Sequence, residues 1–477
     1  MKKTFLILFI SLTVVIQGIS QDYSYDKKIG AENAKQVPMI MGIYNDSVLT
    51  AYVTSVGERL VKQVGNVPLD FNFHIVDMQE PNAFALPGGY IYVTRGVLSL
   101  VNNESELACI MGHEMIHAIE RHSVKQMKKK ILPGLLQIPG ALVGIVNPSL
   151  GSLINTPLQV GSSLFLSSYS RSQEKEADRL GVDLASKAGY DPAKLAIILE
   201  SLQKDVETLT GEDEKKSYFS SHPFTPKRVS YLNKEVSKLE WTPKEPIADS
   251  REELFGFLKG MCYGDNPEQG IFEENKFLHP DMDFTITFPD KWKTRNIPVA
   301  VGAMQPAGGA RIVLQLADTI ADPDSLGIDF VNKFKKKYKQ SPKENKHIDI
   351  NGNPGYMVML NDNSSGKSID MFLYWIKMND VLYNIQGLGY SKYSDTIQNC
   401  VQTFRKLTKE EKDGITSLKL DFAQVKAGET LKTFSKRTNN KWSEKITAIM
   451  NGLGKGEELK DGQYLKIAVE VPYTGMK

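Results

Sequence analysis

The segment GHEMIHAIERH, residues 112–122, gathers three of the chain's seven histidines and a glutamate into eleven positions. On a helix, positions i and i+4 lie on one face, so His113 and His117 point the same way. Two imidazoles at this spacing can bind a single zinc ion with bonds of about 2.0–2.1 Å. We therefore predict one Zn2+ per chain, held by this pair.

Glu114 follows the first histidine and is rotated around the helix, where its carboxylate can hold a water molecule instead of the metal. Zinc lowers the pKa of such a water toward about 7, and the carboxylate can take its proton as the water attacks a carbonyl. This chemistry is peptide-bond hydrolysis. His122 lies off the face of the pair, and histidines are commonly exposed, so we predict that it is a surface residue.

A catalytic zinc needs a third protein ligand, and residue 123 is serine, which excludes the short HExxHxxGxxH pattern. The segment SRSQEKEADRLG, residues 170–181, reads as a helix with Glu174 and Asp178 four positions apart on one face. We predict that Glu174 binds the metal and that Asp178 accepts a hydrogen bond from a ligand imidazole. Glu176 projects to another side of this helix.

These residues resemble the zinc metallopeptidase family of HtpX-type, CAAX prenyl and BepA-like proteases. Four segments, which together cover roughly residues 30 to 235, occur in the family's order. They are NAFALPGGYIYVTRGVL (82–98), ELACIMGHEMIHAIERH (106–122), SRSQEKEADRLG (170–181) and SSHPFTPKRVSYL (220–232). The resemblance implies a zinc endopeptidase with His113, His117 and Glu174 as ligands, Glu114 as base and Asp178 behind the ligands.

The resemblance also places His222 and Arg228, from the fourth segment, near the active site, and two roles are open for them. They could stabilise the oxyanion of the tetrahedral intermediate. Alternatively, His222 could occupy the zinc's open position and keep the enzyme latent. A third reading makes His222 only a cap for the helix that follows Pro226.

The elements around these motifs predict an α+β protein whose first domain, residues 21–245, is mainly helical and gluzincin-type with a small antiparallel sheet. Residues 22–65 show helical spacing of apolar residues, while FNFHIVD (71–77) and YIYVT (90–94) alternate like strands, joined by NAFALPGG. The family's substrate strand corresponds to Gly89–Thr94, which could act as an edge strand for an extended peptide. The same stretch also reads as a plain core strand.

Two further units follow the break at WTPKEP, residues 241–246. Residues 265–408 carry strand patterns at 284–288, 312–316, 356–360, 371–376 and 381–387, with helical stretches near 325–339 and 394–406, which predicts an α+β domain. Residues 418–470 resemble a LysM-like module, a small βααβ fold often associated with peptidoglycan. Glycan binding and a decayed docking module are both open for this unit.

The N-terminus reads as a cleaved secretory signal peptide over residues 1–20, with Lys2 and Lys3 before a short apolar run. We therefore predict a periplasmic or otherwise exported protein. Residues 131–170 lack Asp, Glu, Lys and Arg, but several prolines interrupt them, so we favour an apolar flap near the cleft over a membrane span. The basic cluster that precedes the flap could contact an anionic membrane face or simply be solvated. It comprises Arg121, Lys125, Lys128, Lys129 and Lys130.

The composition limits the kinds of partner that we expect for this protein. The net charge is +2, which favours no polyanion, so we expect no nucleic-acid partner. Three cysteines do not make a disulfide framework, and Cys109 falls in an apolar helical pattern that suggests core packing.

We predict an exported zinc endopeptidase for unfolded or misassembled envelope proteins. The alternative is a catalytically latent binding or chaperone-like protein, tethered through its C-terminal module.

Overall fold

The computed structural model describes residues 22–130, 168–209, 218–223, 225–317, 321–363, 366–454 and 456–475. The predicted signal peptide and residues 131–167 of the predicted flap lie outside these ranges. In the part that is described, we find no helix that combines the length and apolar character needed to cross a membrane.

The N-terminal half is mainly helical, as its apolar spacing predicted. Its helices are α1 (Ser24–Ala34), α2 (Val37–Ile40), α3 (Ser47–Val61), α4 (Arg95–Leu100), α5 (Glu104–Ile119), α6 (His122–Lys130), α7 (Arg171–Lys187), α8 (Lys194–Leu209), α9 (Tyr218–Ser221) and α10 (Pro226–Val236). Its strands are β1 (Asn72–Val76), β2 (Ala83–Leu86) and β3 (Tyr90–Thr94).

The small sheet has the order β1-β3-β2, with β1 parallel and β2 antiparallel to β3, so the sheet that we predicted to be antiparallel is mixed. The prediction that residues 89–94 form an edge strand is wrong, because β3 has a partner on each side. The stretch NAFALPGG, which we expected to be only a connection, supplies the extra strand β2. Its Ala-Phe-Ala-Leu run is wholly buried, so the hairpin turn at Pro87–Gly89 begins later than the sequence pattern suggested.

Helix α5 crosses α7 at two glycines, and this crossing positions the site. A Cβ atom on Gly181 would lie 3.0 Å from the Cα atom of His113, and one on Gly112 would lie 3.2 Å from the carbonyl oxygen of Gly181. Only the absence of side chains lets the two backbones approach so closely. Asn103 caps α5 by accepting a hydrogen bond from the backbone of Glu106, and Ser170 begins α7 with a capping box.

The second unit is built on a seven-stranded sheet in which every pairing is antiparallel, in the order β11-β12-β13-β14-β10-β9-β8. Alternate residues of β12 face opposite sides: Met357 and Met359 pack into one core, whereas Val358 and Leu360 pack under helix α12. The strands of this unit are β5 (Ile271–Glu273), β6 (Lys276–His279), β7 (Phe284–Thr287), β8 (Lys293–Ile297), β9 (Ala300–Met304), β10 (Ala310–Leu316), β11 (Glu344–Ile350), β12 (Asn353–Asp362), β13 (Ile369–Met378) and β14 (Val381–Tyr390). Its helices are α12 (Pro323–Tyr338) and α13 (Ser394–Val401), preceded in the chain by α11 (Arg251–Leu258).

The C-terminal unit has the strand-helix-helix-strand order that its sequence indicated. It consists of β15 (Thr416–Gln424), α15 (Leu431–Arg437), α16 (Glu444–Met450) and β16 (Tyr464–Pro472), after the short helix α14 (Lys409–Gly414). Its sheet is completed by β4 (Cys262–Tyr263), which pairs with β15. Leu420, Trp442, Met450 and Ala468 of this unit join the same apolar core as helices α3, α5 and α8.

The predicted α+β class is confirmed, with helices dominating the first half and antiparallel sheets the rest. The three cysteines are buried and unpaired, and Cys109 packs in the main core as expected.

Candidate metal centre

Helix α5 places His113 and His117 on one face, fully buried, with their Nε2 atoms 3.0 Å apart. The i, i+4 spacing therefore does what the sequence predicted: it brings two imidazole nitrogens to a single point inside the protein. Nearly every residue of α5 is buried, so the helix packs on all sides and is fixed in place.

Helix α7 brings Glu174 to the same point. Its Oε1 atom lies 3.3 Å from Nε2 of His117, and its Oε2 atom lies 3.7 Å from Nε2 of His113. Glu174 stands in the first turn of α7, seven residues before the glycine that touches α5. The close crossing of the helices thus sets the distance between this carboxylate and the histidine pair.

His222 supplies a fourth donor atom. Its Nδ1 atom lies 3.0 Å from Oε1 of Glu174 and 3.3 Å from Nε2 of His113, and its side chain is fully buried. Helix α10 begins at Pro226 after Thr225, with no side-chain cap. The reading of His222 as a mere helix cap is therefore wrong.

The donor atoms of His113, His117, Glu174 and His222 all lie within 4.8 Å of one another. Two ligand atoms bound to one tetrahedral zinc at about 2.0–2.2 Å lie roughly 3.3–3.6 Å apart. The observed separations of 3.0 to 3.3 Å between neighbouring donors are close to this value. Three nitrogens and one carboxylate oxygen are also a donor set that zinc accepts, so the residues fit the predicted ion.

The charges of the cluster suit a cation. Burial would raise the pKa of Glu174, but His222, His117 and Arg228 outweigh it and hold that pKa well below its ordinary value. Burial lowers the pKa of His117 well below its ordinary value, which favours the neutral imidazole that a metal needs. For His222, burial lowers the pKa, but the carboxylates of Glu174 and Glu114 reverse the effect and raise it.

Glu114 is fully buried, and within the described part of the chain neither carboxylate oxygen has a hydrogen-bond partner. Oε1 lies 3.5 Å from Nε2 of His222. Burial raises the pKa of the Glu114 carboxyl, which the nearby imidazoles only partly oppose. A buried carboxylate without donors is costly and marks a functional position.

Asp178 and Arg228 form a buried pair behind the cluster. Arg228 donates two hydrogen bonds to Asp178, from Nε at 2.8 Å and Nη2 at 2.7 Å, and its Nη1 lies 2.9 Å from Oε2 of Glu174. Oδ1 of Asp178 lies 3.0 Å from Nδ1 of His113, near enough for the carboxylate to orient this imidazole. Because the guanidinium faces two protein carboxylates, these contacts favour a positioning role for Arg228 over oxyanion binding.

Sequence reasoning misplaced or missed three aromatic neighbours of the cluster. The prediction that His122 is a surface residue is wrong, because helix α6 turns it inward until it is fully buried beside His117. Tyr169 stacks on the ring of His117 at 3.8 Å, and Tyr218 stacks on His222 at 4.3 Å. The sequence hinted at these two tyrosines only through their positions, because each precedes a segment with a candidate ligand by a few residues.

The basic cluster before the predicted flap is partly engaged within the protein. Arg121 donates from Nε to Asp26 at 3.0 Å, and its side chain is mostly buried. Lys125 is half exposed. Of the two cluster residues whose side chains are described, Lys125 is the more exposed, and it forms an ion pair with Glu120 at 3.9 Å.

Comparisons with known proteins agree with this geometry. Residues 47–236 match peptidase family M48, and all the site residues described above lie in that range. The chain therefore contains a peptidase family M48 domain, which confirms the resemblance seen in the sequence.

Among curated relatives, the beta-barrel assembly-enhancing protease of Escherichia coli (strain K12) is 30% identical over 251 residues, which are 52% of this chain and 50% of that protein. The mitochondrial metalloendopeptidase OMA1 of Schizosaccharomyces pombe is 29% identical over 233 residues, 47% of this chain and 63% of the relative. That of Arabidopsis thaliana is 36% identical over 164 residues, 34% and 31% of the two chains. The chain thus spans about half the length of the first of these relatives.

Proposed function

We propose that this protein is an exported zinc-dependent endopeptidase that hydrolyses unfolded or misassembled proteins of the cell envelope. The observation that carries the proposal is that four zinc-type donor atoms meet in the interior beside Glu114, a carboxylate with no hydrogen-bond partner among the described residues. The printed names of the relatives, which are proteases and metalloendopeptidases, support the activity. The name beta-barrel assembly-enhancing protease supports the envelope substrates.

In this proposal His113, His117 and Glu174 hold the metal. Zinc bound there supplies Lewis acidity toward a substrate carbonyl and an attacking water. Glu114 is the general base: it takes a proton from the water as the carbonyl is attacked and returns that proton to the leaving amine. Its raised pKa, caused mainly by burial, suits both halves of this transfer.

Asp178 and Arg228 keep the ligands in place. Asp178 lies against Nδ1 of His113, which leaves Nε2 to face the metal. Arg228 donates paired hydrogen bonds to Asp178 and forms an ion pair with Glu174. Paired bonds between a guanidinium and a carboxylate define orientation as well as distance. The two ligands that come from different helices are thereby held in one arrangement.

His222 completes the donor set, and this supports a latent resting state. A catalytic zinc keeps one position open for substrate and water, whereas a closed set of four protein donors is typical of structural sites. Nδ1 of His222 lies beside Glu174 and His113, so a zinc ion held by all four residues would have no open position. We infer that the His222 segment must move before a substrate binds.

The test is Glu114→Gln in the full-length chain, with zinc content and hydrolysis of an unfolded protein such as casein measured on the same sample. We expect stoichiometric zinc and a fall in activity of at least 100-fold, because general-base catalysis contributes about 10²–10⁴-fold. Glu120→Gln, at the C-terminal end of the same helix, is the matched control and should keep both the bound zinc and the hydrolytic activity. Wild-type activity in the Glu114→Gln protein, or a chain without bound metal, would refute the mechanism.

The export and substrate parts of the proposal need a separate experiment. The Glu114→Gln protein, produced in its native host, should retain bound envelope proteins that it cannot cleave, and the mature chain should begin near residue 21. Mass spectrometry of the captured proteins and of the N-terminus checks both. Capture of cytoplasmic proteins alone, with residues 1–20 intact, would contradict this part and leave the peptidase activity standing.

A second candidate role concerns the C-terminal module. A groove of about 1000 Å³ lies between the end of helix α8 and the loops of the module, lined by residues that include Glu429, Thr430, Ala448 and Leu459. Its size suits a glycan, which supports tethering to peptidoglycan. Purified peptidoglycan should retain the wild-type chain and not Ala448→Trp, whose indole fills the groove; equal retention of both would dismiss this role.

A further inference from the structure

We propose that His122 and Glu176 form a relay that orients His117 as a metal ligand. This inference rests on the proposed function, in which His117 binds zinc. It assigns a positioning role to His122, which follows the His113–His117 pair, and to Glu176, which lies between Glu174 and Asp178 in the chain. It also gives the second ligand histidine its own support, separate from the Asp178 and Arg228 pair behind His113.

The contacts run without a break from His117 through His122 to Glu176. Nδ1 of His122 lies 2.8 Å from Nδ1 of His117, and Nε2 of His122 lies 3.1 Å from Oε2 of Glu176. Both imidazoles are fully buried, while the Glu176 side chain is 42% exposed. The relay therefore begins at the metal cluster and ends at the protein surface.

Only one set of proton positions satisfies every contact when His117 is a ligand. His117 directs Nε2 at the cluster, so a neutral His117 carries its proton on Nδ1 and donates it to His122. His122 must then accept through Nδ1 and carry its own proton on Nε2, which is directed at the Glu176 carboxylate. The carboxylate thus selects the tautomer of His122, and His122 selects that of His117.

Helix α7 supplies the acidic residue of each support. Glu174 faces the cluster, Asp178 lies behind His113, and Glu176 lies between them in sequence on a different side, where helix α6 approaches. Glu174 of α7 contacts His117 at Nε2, whereas Nδ1 of His117 contacts His122, whose ring links it to Glu176 of the same helix. Partners of this kind typically change metal affinity by about 10–100-fold.

The experiment compares four full-length variants with the wild type by zinc competition with a fluorescent chelator. His122→Phe removes the acceptor and keeps an aromatic ring, His122→Asn restores an acceptor near Nδ1, and Glu176→Ala removes the outer carboxylate. The control is Gln126→Leu, which breaks a 2.7 Å hydrogen bond to Gln173 between the same two helices and touches no ligand. Thermal melting of each metal-free protein reports folding separately.

We expect zinc affinity to fall about 10–100-fold in His122→Phe, to recover most of that loss in His122→Asn, and to fall several-fold in Glu176→Ala. Gln126→Leu should match the wild type. If His122→Phe does not fold, two other measurements test the relay. They are the zinc affinity of Glu176→Ala, whose position is half exposed, and the nitrogen-15 spectrum of the wild-type imidazoles. That spectrum should show His117 and His122 protonated on Nδ1 and Nε2, respectively.

Affinities of Glu176→Ala and His122→Phe equal to that of Gln126→Leu, or the opposite tautomers, would overturn the relay while leaving the zinc site intact. A wild-type chain that binds no zinc would instead remove the proposed function itself. The two failures therefore give different results in the same titration.

Discussion

In the proposed mechanism His222 controls access to the metal, because it is both a potential ligand and a neighbour of the proposed base. It approaches Glu174 at 3.0 Å and Glu114 at 3.5 Å while Tyr218 stacks on its other side. Removing its imidazole opens a coordination position without touching the other three donors. The arrangement suits a reversible block at the metal.

We expect His222→Ala to retain zinc and to raise the rate of peptide hydrolysis several-fold over the wild type. A continuous assay with a quenched fluorescent peptide measures it, and His279→Ala, in the second unit, is the control. A rate that falls as far as in Glu114→Gln would show that His222 stabilises the oxyanion and is not an inhibitory ligand.

At the scale of elements, the crossing of α5 and α7 determines whether the ligands meet. Gly181→Ala would place a Cβ atom 3.0 Å from the backbone of His113, so the helices must separate by a few tenths of an ångström or more. We expect weaker zinc binding, by about 10-fold, together with a loss of stability of about 1–3 kcal/mol from overpacking. Competition with a chelator and denaturant unfolding measure the two effects.

The matched control for that crossing is Gly256→Ala in helix α11, where a Cβ atom would meet nothing within 4 Å. Alanine is the better helix former, so this substitution should stabilise the chain by up to about 1 kcal/mol and leave zinc affinity unchanged. Equal zinc affinity in both variants would show that the glycine contact does not set the ligand geometry.

Helix α8 carries a buried acid that makes stability depend on pH. Burial raises the pKa of Asp205 from 3.8 to about 7, and its charge also reaches Tyr263 of β4. Because the folded state holds this proton more tightly than the unfolded state, the contribution of Asp205 to stability is greatest below about pH 4 and is lost as pH rises through about 7. The full loss in the free energy of unfolding is about 4 kcal/mol at most, because the pKa of Asp205 is about three higher in the folded state.

Asp205→Asn should therefore be more stable than the wild type at pH 8 and similar to it at pH 4. Urea unfolding at the two pH values measures the difference, with the exposed Glu207→Gln as control on the same helix. A stability difference between Asp205→Asn and the wild type that does not change with pH would contradict the raised pKa.

At the scale of the whole molecule, the C-terminal module is built into the first half of the chain. Lys466 of β16 is buried and donates to the carbonyl oxygens of Ser99 and Val101, at 2.6 and 2.7 Å. Arg251 joins the same junction by donating to Asn102 and to the carbonyl of Asn451. The module thus supports the segment that leads into helix α5, which carries the metal ligands.

Lys466→Met should lower the free energy of unfolding by about 2–4 kcal/mol, because two buried carbonyls lose their donor and the buried acid Glu106 loses a nearby cation. Lys460→Met, at an exposed position in the same module, should change little. Denaturant unfolding of the full-length proteins measures both. Equal free energies of unfolding for Lys466→Met and Lys460→Met would show that the junction does not stabilise the protein.

The sequence alone determined the local part of this protein. Helical spacing placed His113 and His117 on one face and Glu174 and Asp178 on another, because i, i+4 geometry is a property of neighbouring residues. The resemblance of the motif segments indicated the zinc metallopeptidase family. Strand patterns also located most of the large sheet within a few residues, since alternation is visible wherever one face is buried.

Only the tertiary structure decided which distant groups touch. It turned His122 inward, gave β3 two partners instead of an open edge, and set Arg228 against Asp178 and Glu174. It also bonded Lys466 to the carbonyls of Ser99 and Val101. None of these follows from spacing along the chain, because each depends on how two elements far apart in sequence pack. Packing against a partner is a property of the assembled core, and it is encoded in no single segment.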